Sequence, residues 1–156
     1  MRKKLRSVLC MILVVVLTYS LCACSKRTQK GFTSYDDANG EFKKTVAALN
    51  WPEDYKAPTE LDGEKDGEYQ AGYGDTRASQ YWEEAWEMEW LTHYKTDKKR
   101  ADKAIEELEK ATDMAYMSPS KCDDATRRYF KEMLDKAKAQ DPSGVEENLK
   151  QNGPTY

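Results

Sequence analysis

The stretch Thr76-Arg77-Ala78-Ser79-Gln80-Tyr81-Trp82-Glu83-Glu84-Ala85-Trp86-Glu87-Met88-Glu89-Trp90-Leu91-Thr92-His93-Tyr94 decides the fold. Trp82, Trp86 and Trp90 stand at i, i+4 and i+8, the spacing of one helical face. At about 100° per residue, Ala78, Trp82, Ala85 and Trp86 share that face, with Tyr81 and Met88 on one flank and Trp90 on the other. An amphipathic helix is therefore expected over Thr76–Tyr94, its aromatic side turned to a core. Glu83, Glu84 and Glu87 fall on the opposite side and are expected as a solvated face.

The flanking sequence is helical in the same way. Tyr35, Ala38, Phe42, Val46 and Leu49 recur at helical spacing, with Asn39-Gly40 as a possible interruption. Thr96 or Asp97 offers an N-cap for a helix running to about Tyr116, with Ala101, Ala104, Ile105, Leu108, Ala111 and Ala115 on its inner face. Ser118-Pro119 is expected to open the next helix, whose buried face is Ala125, Tyr129, Phe130, Met133, Leu134 and Ala137. Asp141-Pro142 opens a short last helix with Val145 and Leu149, and Gly153-Pro154 ends it. No alternating apolar run suggests a sheet. Short connections between the later helices favour antiparallel neighbours. The expected fold is all-α, a small up-and-down bundle of about four helices with one long irregular loop.

That loop covers residues 50–75. It holds Pro52, Pro58, four glycines and many acids, with Trp51, Tyr55, Tyr69 and Tyr73 interleaved. A connection this long inside a small domain is usually functional or disordered. The aromatics argue that part of it packs across the helices, and it is the first place to look for a binding surface.

The N-terminus carries an address. Arg2, Lys3, Lys4 and Arg6 precede an apolar run from Ser7 to Leu21, the order of an export signal. Leu21-Cys22-Ala23-Cys24 then resembles the lipobox of bacterial lipoproteins, with Cys22 a less usual residue at its position. The resemblance covers the first two dozen residues. It implies cleavage before Cys24, diacylglycerol on the Cys24 sulfur and further acylation of its amine, so that two or three chains such as palmitate hold the protein to the membrane. The alternative is an uncleaved membrane anchor. In either case the domain faces the outside of the cell membrane. The expected organisation is signal peptide 1–23, tether 24–34 and a single helical domain 35–152.

Four of the 25 basic residues and none of the 28 acidic ones lie in the signal, which leaves a mature charge of −7. Nucleic-acid binders carry a basic patch, so no nucleic-acid partner is expected. An acidic surface is also repelled by anionic headgroups, so the anchor and not the domain surface would hold the membrane. Once Cys10 and Cys22 leave with the signal and Cys24 carries lipid, Cys122 is the one thiol left. No intramolecular disulfide is then possible, and Cys122 is expected as a half-buried structural thiol.

Glu89 and His93 project from the aromatic face one turn apart. Buried carboxylates need a partner, and His93 or Arg127 is the expected one. The pair is either an ion pair fixing how helices pack or a ligand or proton-transfer site under the aromatic wall. Trp82, Trp86 and Trp90 are expected in the core. Carbohydrate stacking is the sharper alternative and needs exposed rings, such as Trp51 or Trp90 with the loop tyrosines. Asp62, Glu64 and Asp66, with Gly67 following, resemble the opening of an EF-hand calcium loop. Tyr73 stands where the bidentate acid belongs, and a solvated acidic turn is the simpler account. A single histidine rules out a His-rich zinc site, no nucleophile elbow or phosphate loop is present, and no cofactor is expected.

These features suggest a non-enzymatic lipoprotein module that binds a protein partner or ligand at the cell envelope. Two other classes stand beside it. One is an extracytoplasmic enzyme acting on cell-wall or carbohydrate material with Glu89 as acid or base, and the other is a solute-binding lipoprotein of a transporter.

Overall fold

The computed structural model describes residues 31–153. The lipobox and Cys24 lie outside the described residues. Five helices account for most of the described residues: α1 (Tyr35–Ala48), α2 (Tyr73–His93), α3 (Lys98–Glu109), α4 (Asp124–Lys138) and α5 (Ser143–Asn152). The fold is an all-α bundle with one long irregular loop. Among the described residues no helix is long and apolar enough to cross a membrane.

α2 is the axis. It packs against α1 over its first half and against α3 over its second, and it also touches α5 and the turn before α4. Its approach to α1 depends on Gly74. A Cβ there would lie 1.9 Å from the Ala38 carbonyl oxygen and 2.8 Å from the Phe42 nitrogen. Only a residue without a side chain lets the two backbones meet this closely.

Local chemistry sets the helix starts. Ser34 accepts from the Asp37 amide, Asp97 from the Arg100 amide and Asp123 from the Thr126 amide. α1 runs through Asn39-Gly40 without a break. The Asn39 side chain does not compete with the helix, because its Oδ1 accepts from the Leu61 amide at 2.9 Å and pins the following loop. The main core gathers Trp82, Trp86 and Trp90 with Leu108, Phe130, Met133, Leu134 and Val145. A smaller cluster joins Tyr35, Ala38 and Phe42 to Leu61 and Ala78.

Several expectations need correction. There is a sheet, although a small one: β1 (Phe32–Ser34) pairs antiparallel with β2 (Glu68–Gln70). The end of the expected tether is thus built into the domain, and the loop is stapled to it. With only three residues per strand, neither is long enough to show an alternating pattern. α2 begins at Tyr73, so the irregular stretch ends at Gly72. α3 stops at Glu109 and gives way to two 3₁₀ turns, Lys110–Asp113 and Ala115–Met117, which leave Ala115 exposed. Ser118-Pro119 opens a turn, not a helix. The Ser118 carbonyl accepts from the amides of Lys121 and Cys122, and α4 starts only at Asp124 with Ala125 exposed.

Candidate functional site

Because α2 is enclosed on several sides, most of its acidic face is held away from bulk water. Glu84 is 5% exposed and Glu87 fully buried, while Glu83 is half-buried. The expectation of a solvated face at Glu83, Glu84 and Glu87 is therefore wrong. α5 and the Tyr116 turn close over the side opposite the tryptophans.

The three carboxylates are held differently. Asn148 of α5 donates its Nδ2 to both oxygens of Glu87, at 2.8 and 3.0 Å. Asn152 donates in turn to Asn148 Oδ1 at 2.8 Å, which fixes the orientation of that amide. Tyr116 donates its hydroxyl to Glu83. Glu84 Oε2 is buried with no hydrogen-bond partner, and so is the Tyr129 hydroxyl of α4. Glu83, Glu84, Tyr116, Tyr129 and Asn148 all line one cavity of about 420 Å³ between α2, the Tyr116 turn, α4 and α5. Ligand pockets commonly span roughly 300–1,000 Å³.

Burial decides the protonation of this cluster. It pushes Glu83 up to about 7, against the hydrogen bond from Tyr116 and with the charge of Glu84 adding to the rise. Burial likewise takes Glu84 to about 7, opposed by the charge of Arg77. Glu87 is raised well above the carboxylate range, by burial first and then by Glu83. The same burial, with Glu83 beside it, drives the Tyr116 hydroxyl upward, so Tyr116 stays a donor. Near neutral pH this cluster holds protons that ordinary carboxylates would have released.

The residues singled out by sequence lie elsewhere. Glu89 is only 10% exposed at its side chain, and its principal partner is Arg100 of α3, whose guanidinium donates from Nε at 2.5 Å and from a terminal nitrogen at 2.9 Å. Arg100 also reaches Asp54 of the loop at 2.9 Å. His93 stands 3.8 Å from Glu89. Arg127 is not a partner, because it binds the Cys122 carbonyl and Asp124. Arg100 lies 11 residues from Glu89 in the chain, so helical periodicity within α2 could not point to it.

Trp82 and Trp90 are 1% exposed and Trp86 5%, which places all three in the core. Trp82 and Trp86 both donate their indole N–H to the Asn50 carbonyl, at 2.7 and 3.1 Å, and so tie the start of the loop to α2. Trp51 is half-buried, donates to the Val46 carbonyl at 3.0 Å and stacks on Tyr55 with ring centroids 5.4 Å apart. Trp86 and Glu89 edge a broader, more open groove of about 920 Å³ with Arg100, Lys98 and Lys103.

Asp62, Glu64 and Asp66 are exposed. Asp62 accepts from Arg77 at 3.3 Å, and the Glu64 carbonyl closes a turn with Gly67. Among the described residues no group of acidic, histidine or cysteine side chains comes together to hold a metal ion. Cys122 precedes α4 and is half-buried, with its sulfur 3.7 Å from Met117 Sδ. Burial raises its pKa, which keeps it in the less reactive thiol form.

No protein-family model, curated protein or solved structure matches this chain. The site must therefore be judged on its chemistry. Sequence reasoning missed Glu83, Glu84, Glu87, Tyr116, Tyr129 and Asn148 as a group. A signal was present, since Tyr81, Met88 and Leu91 widen the apolar arc of α2 beyond a single stripe. A helix apolar on more than one side is a central helix, and its acids are then not on the surface.

Proposed function

We propose that this chain is a lipid-anchored, extracytoplasmic helical module that captures a small polar ligand at the cell envelope. The anchor is Cys24 of the lipobox, and the binding site is the cavity lined by Glu83, Glu84, Tyr116, Tyr129 and Asn148. One observation carries the reading. Glu84 Oε2 is buried at the wall of that cavity with no partner. Leaving a buried polar group unsatisfied costs about 1–3 kcal/mol, so such groups in folded proteins usually serve a purpose. A ligand that brings a donor would remove the cost. The groove edged by Trp86, Glu89 and Arg100 is open to a protein partner.

A thermal-shift screen of the full-length chain in detergent against small polar metabolites tests the site. A compound that raises the Tm of the native chain but not of Glu84→Gln supports it. A blank across the collection, with the protein folded, contradicts it. The anchor is tested by labelling cells with a fatty acid such as palmitate. Label on the native chain and none on Cys24→Ser is the expected result.

A second reading is acid–base catalysis on cell-wall or carbohydrate material. It draws on the position of Glu83 and Glu84 near neutrality in one cavity, where a group can both give and take a proton. Under this reading the acid or base would be Glu84, not Glu89, and Glu84→Gln would fold normally and lose turnover.

A further inference from the structure

We infer that the cavity between α2, the Tyr116 turn, α4 and α5 takes a small organic diamine or triamine, its ammonium groups serving Glu84 and the Tyr129 hydroxyl. The inference rests on the reading of this cavity as a ligand site and names the class of ligand.

The Asn148 amide nitrogen is committed to both oxygens of Glu87, and the Tyr116 hydroxyl spends its donor on Glu83. What is left buried and unpaired is Glu84 Oε2, an acceptor once its carboxyl has ionised, and the Tyr129 hydroxyl, which can accept. A ligand that satisfies both must bring N–H or O–H groups, and an ammonium brings three. The basic residues at the cavity wall do not favour an anion. Arg77 is committed to Asp62 at 3.3 Å and to the Tyr81 hydroxyl at 3.2 Å, and Lys121 lies 3.6 Å from Asp75. An anion would instead meet Glu83 and Glu84. A bare metal ion is disfavoured, because Tyr116 and Asn148 already occupy oxygens of Glu83 and Glu87, and no metal-holding group forms among the described residues. The volume of about 420 Å³ suits a diamine or triamine better than a single ion.

Binding exchanges one cation for one proton. The amine arrives protonated, the Glu84 carboxyl releases its proton to solvent, and the ion pair forms at the cavity wall. The groups that bear on this exchange are Arg77, Glu83 and Glu87 on α2, and Asp62 from the loop. The turns before α4 add Tyr116, Lys121, Cys122 and Asp123. Tyr129 faces the site from α4, with Glu147 of α5 acting on it. Alkaline conditions therefore favour binding for as long as the amine itself keeps its charge.

Isothermal titration calorimetry tests the inference. The full-length chain in detergent is titrated with putrescine and spermidine, with 1,4-butanediol as the neutral isostere and succinate as the anionic one. One amine per chain is expected, bound at least about tenfold tighter than the diol. Binding should be about tenfold tighter at pH 8 than at pH 6. Glu84→Gln should weaken it by about tenfold and remove most of the pH dependence. Tyr129→Phe should weaken it several-fold without lowering Tm, since that hydroxyl has no partner to lose in the free protein. Amines that bind no tighter than the diol, or that ignore Glu84→Gln, overturn the inference. If the diol or succinate binds in a Glu84-dependent way, the amine assignment fails and the ligand site stands. If none of these binds and the wider screen is also blank, both fail.

Discussion

Glu89 and Glu84 sit on the same helix and have opposite fates. Glu89 is clamped by two nitrogens of Arg100, which also holds Asp54 of the loop, so one guanidinium joins three elements. Glu84, five residues earlier, is more deeply buried and has an oxygen with no partner at all. The first arrangement builds structure, because charge-assisted bidentate pairing compensates the loss of water. The second carries a cost in the free protein and leaves an open acceptor at a cavity. The lesson is that burial of an acid identifies a site only when its pairing is incomplete.

The change with the largest expected effect removes the frame that both regions share. Gly74→Ala places a methyl group 1.9 Å from the Ala38 carbonyl oxygen, so α1 must move off α2. It should cost about 3 kcal/mol or more in urea denaturation. Glu89→Gln breaks the satisfied region alone. It replaces a charged fork with a weaker neutral contact and leaves Arg100 and Asp54 less well held, at a cost of about 2 kcal/mol in the same assay.

Glu84→Gln should do the reverse. The folded chain holds the Glu84 proton up to about pH 7, whereas the unfolded chain releases it near 4.5. Stability contributed by that proton is present at low pH and lost as pH climbs through 7. The native chain should therefore have a higher urea midpoint at pH 5 than at pH 8. Glu84→Gln should flatten this slope, gaining on the order of 2 kcal/mol at pH 8 after allowance for solvent at the cavity mouth, and almost nothing near pH 4. A variant that loses stability at pH 8 would place Glu84 with Glu89 as a structural acid.

The smallest effect supplies the control. Gln140 ends α4 in the left-handed region, at φ 63°, with the Asp141 amide bonded back to Lys136 and the Gln140 amide to Ala137. This is the glycine position of a helix terminus closed by paired return bonds. Gln140→Gly should add about 1 kcal/mol, with no dependence on pH between 5 and 8.

Much of the fold was legible because helices announce themselves locally. The tryptophan spacing, the Asp97 cap and the proline after Asp141 each act within a few residues. The β1–β2 pairing was not legible, since it joins residues more than thirty positions apart through strands too short to alternate. The site was misjudged for a related reason. Periodicity ranks the faces of α2 but does not count how many neighbours surround it, so a charged face opposite three tryptophans was expected in water. Tyr116 reached Glu83 only because α3 broke into 3₁₀ turns at Lys110, with neither glycine nor proline to mark the break. Cys24 remains an expectation from its four-residue motif, and labelling decides it.

The most direct test is an NMR titration of the side-chain carboxyl carbon of Glu84 in the ligand-free chain. A midpoint near 7, shifted downward when putrescine is added, is the result predicted by an unpaired, buried acceptor awaiting a cation. A midpoint at the ordinary 4.5, unmoved by the amine, would show a solvated or already paired carboxylate and contradict the account.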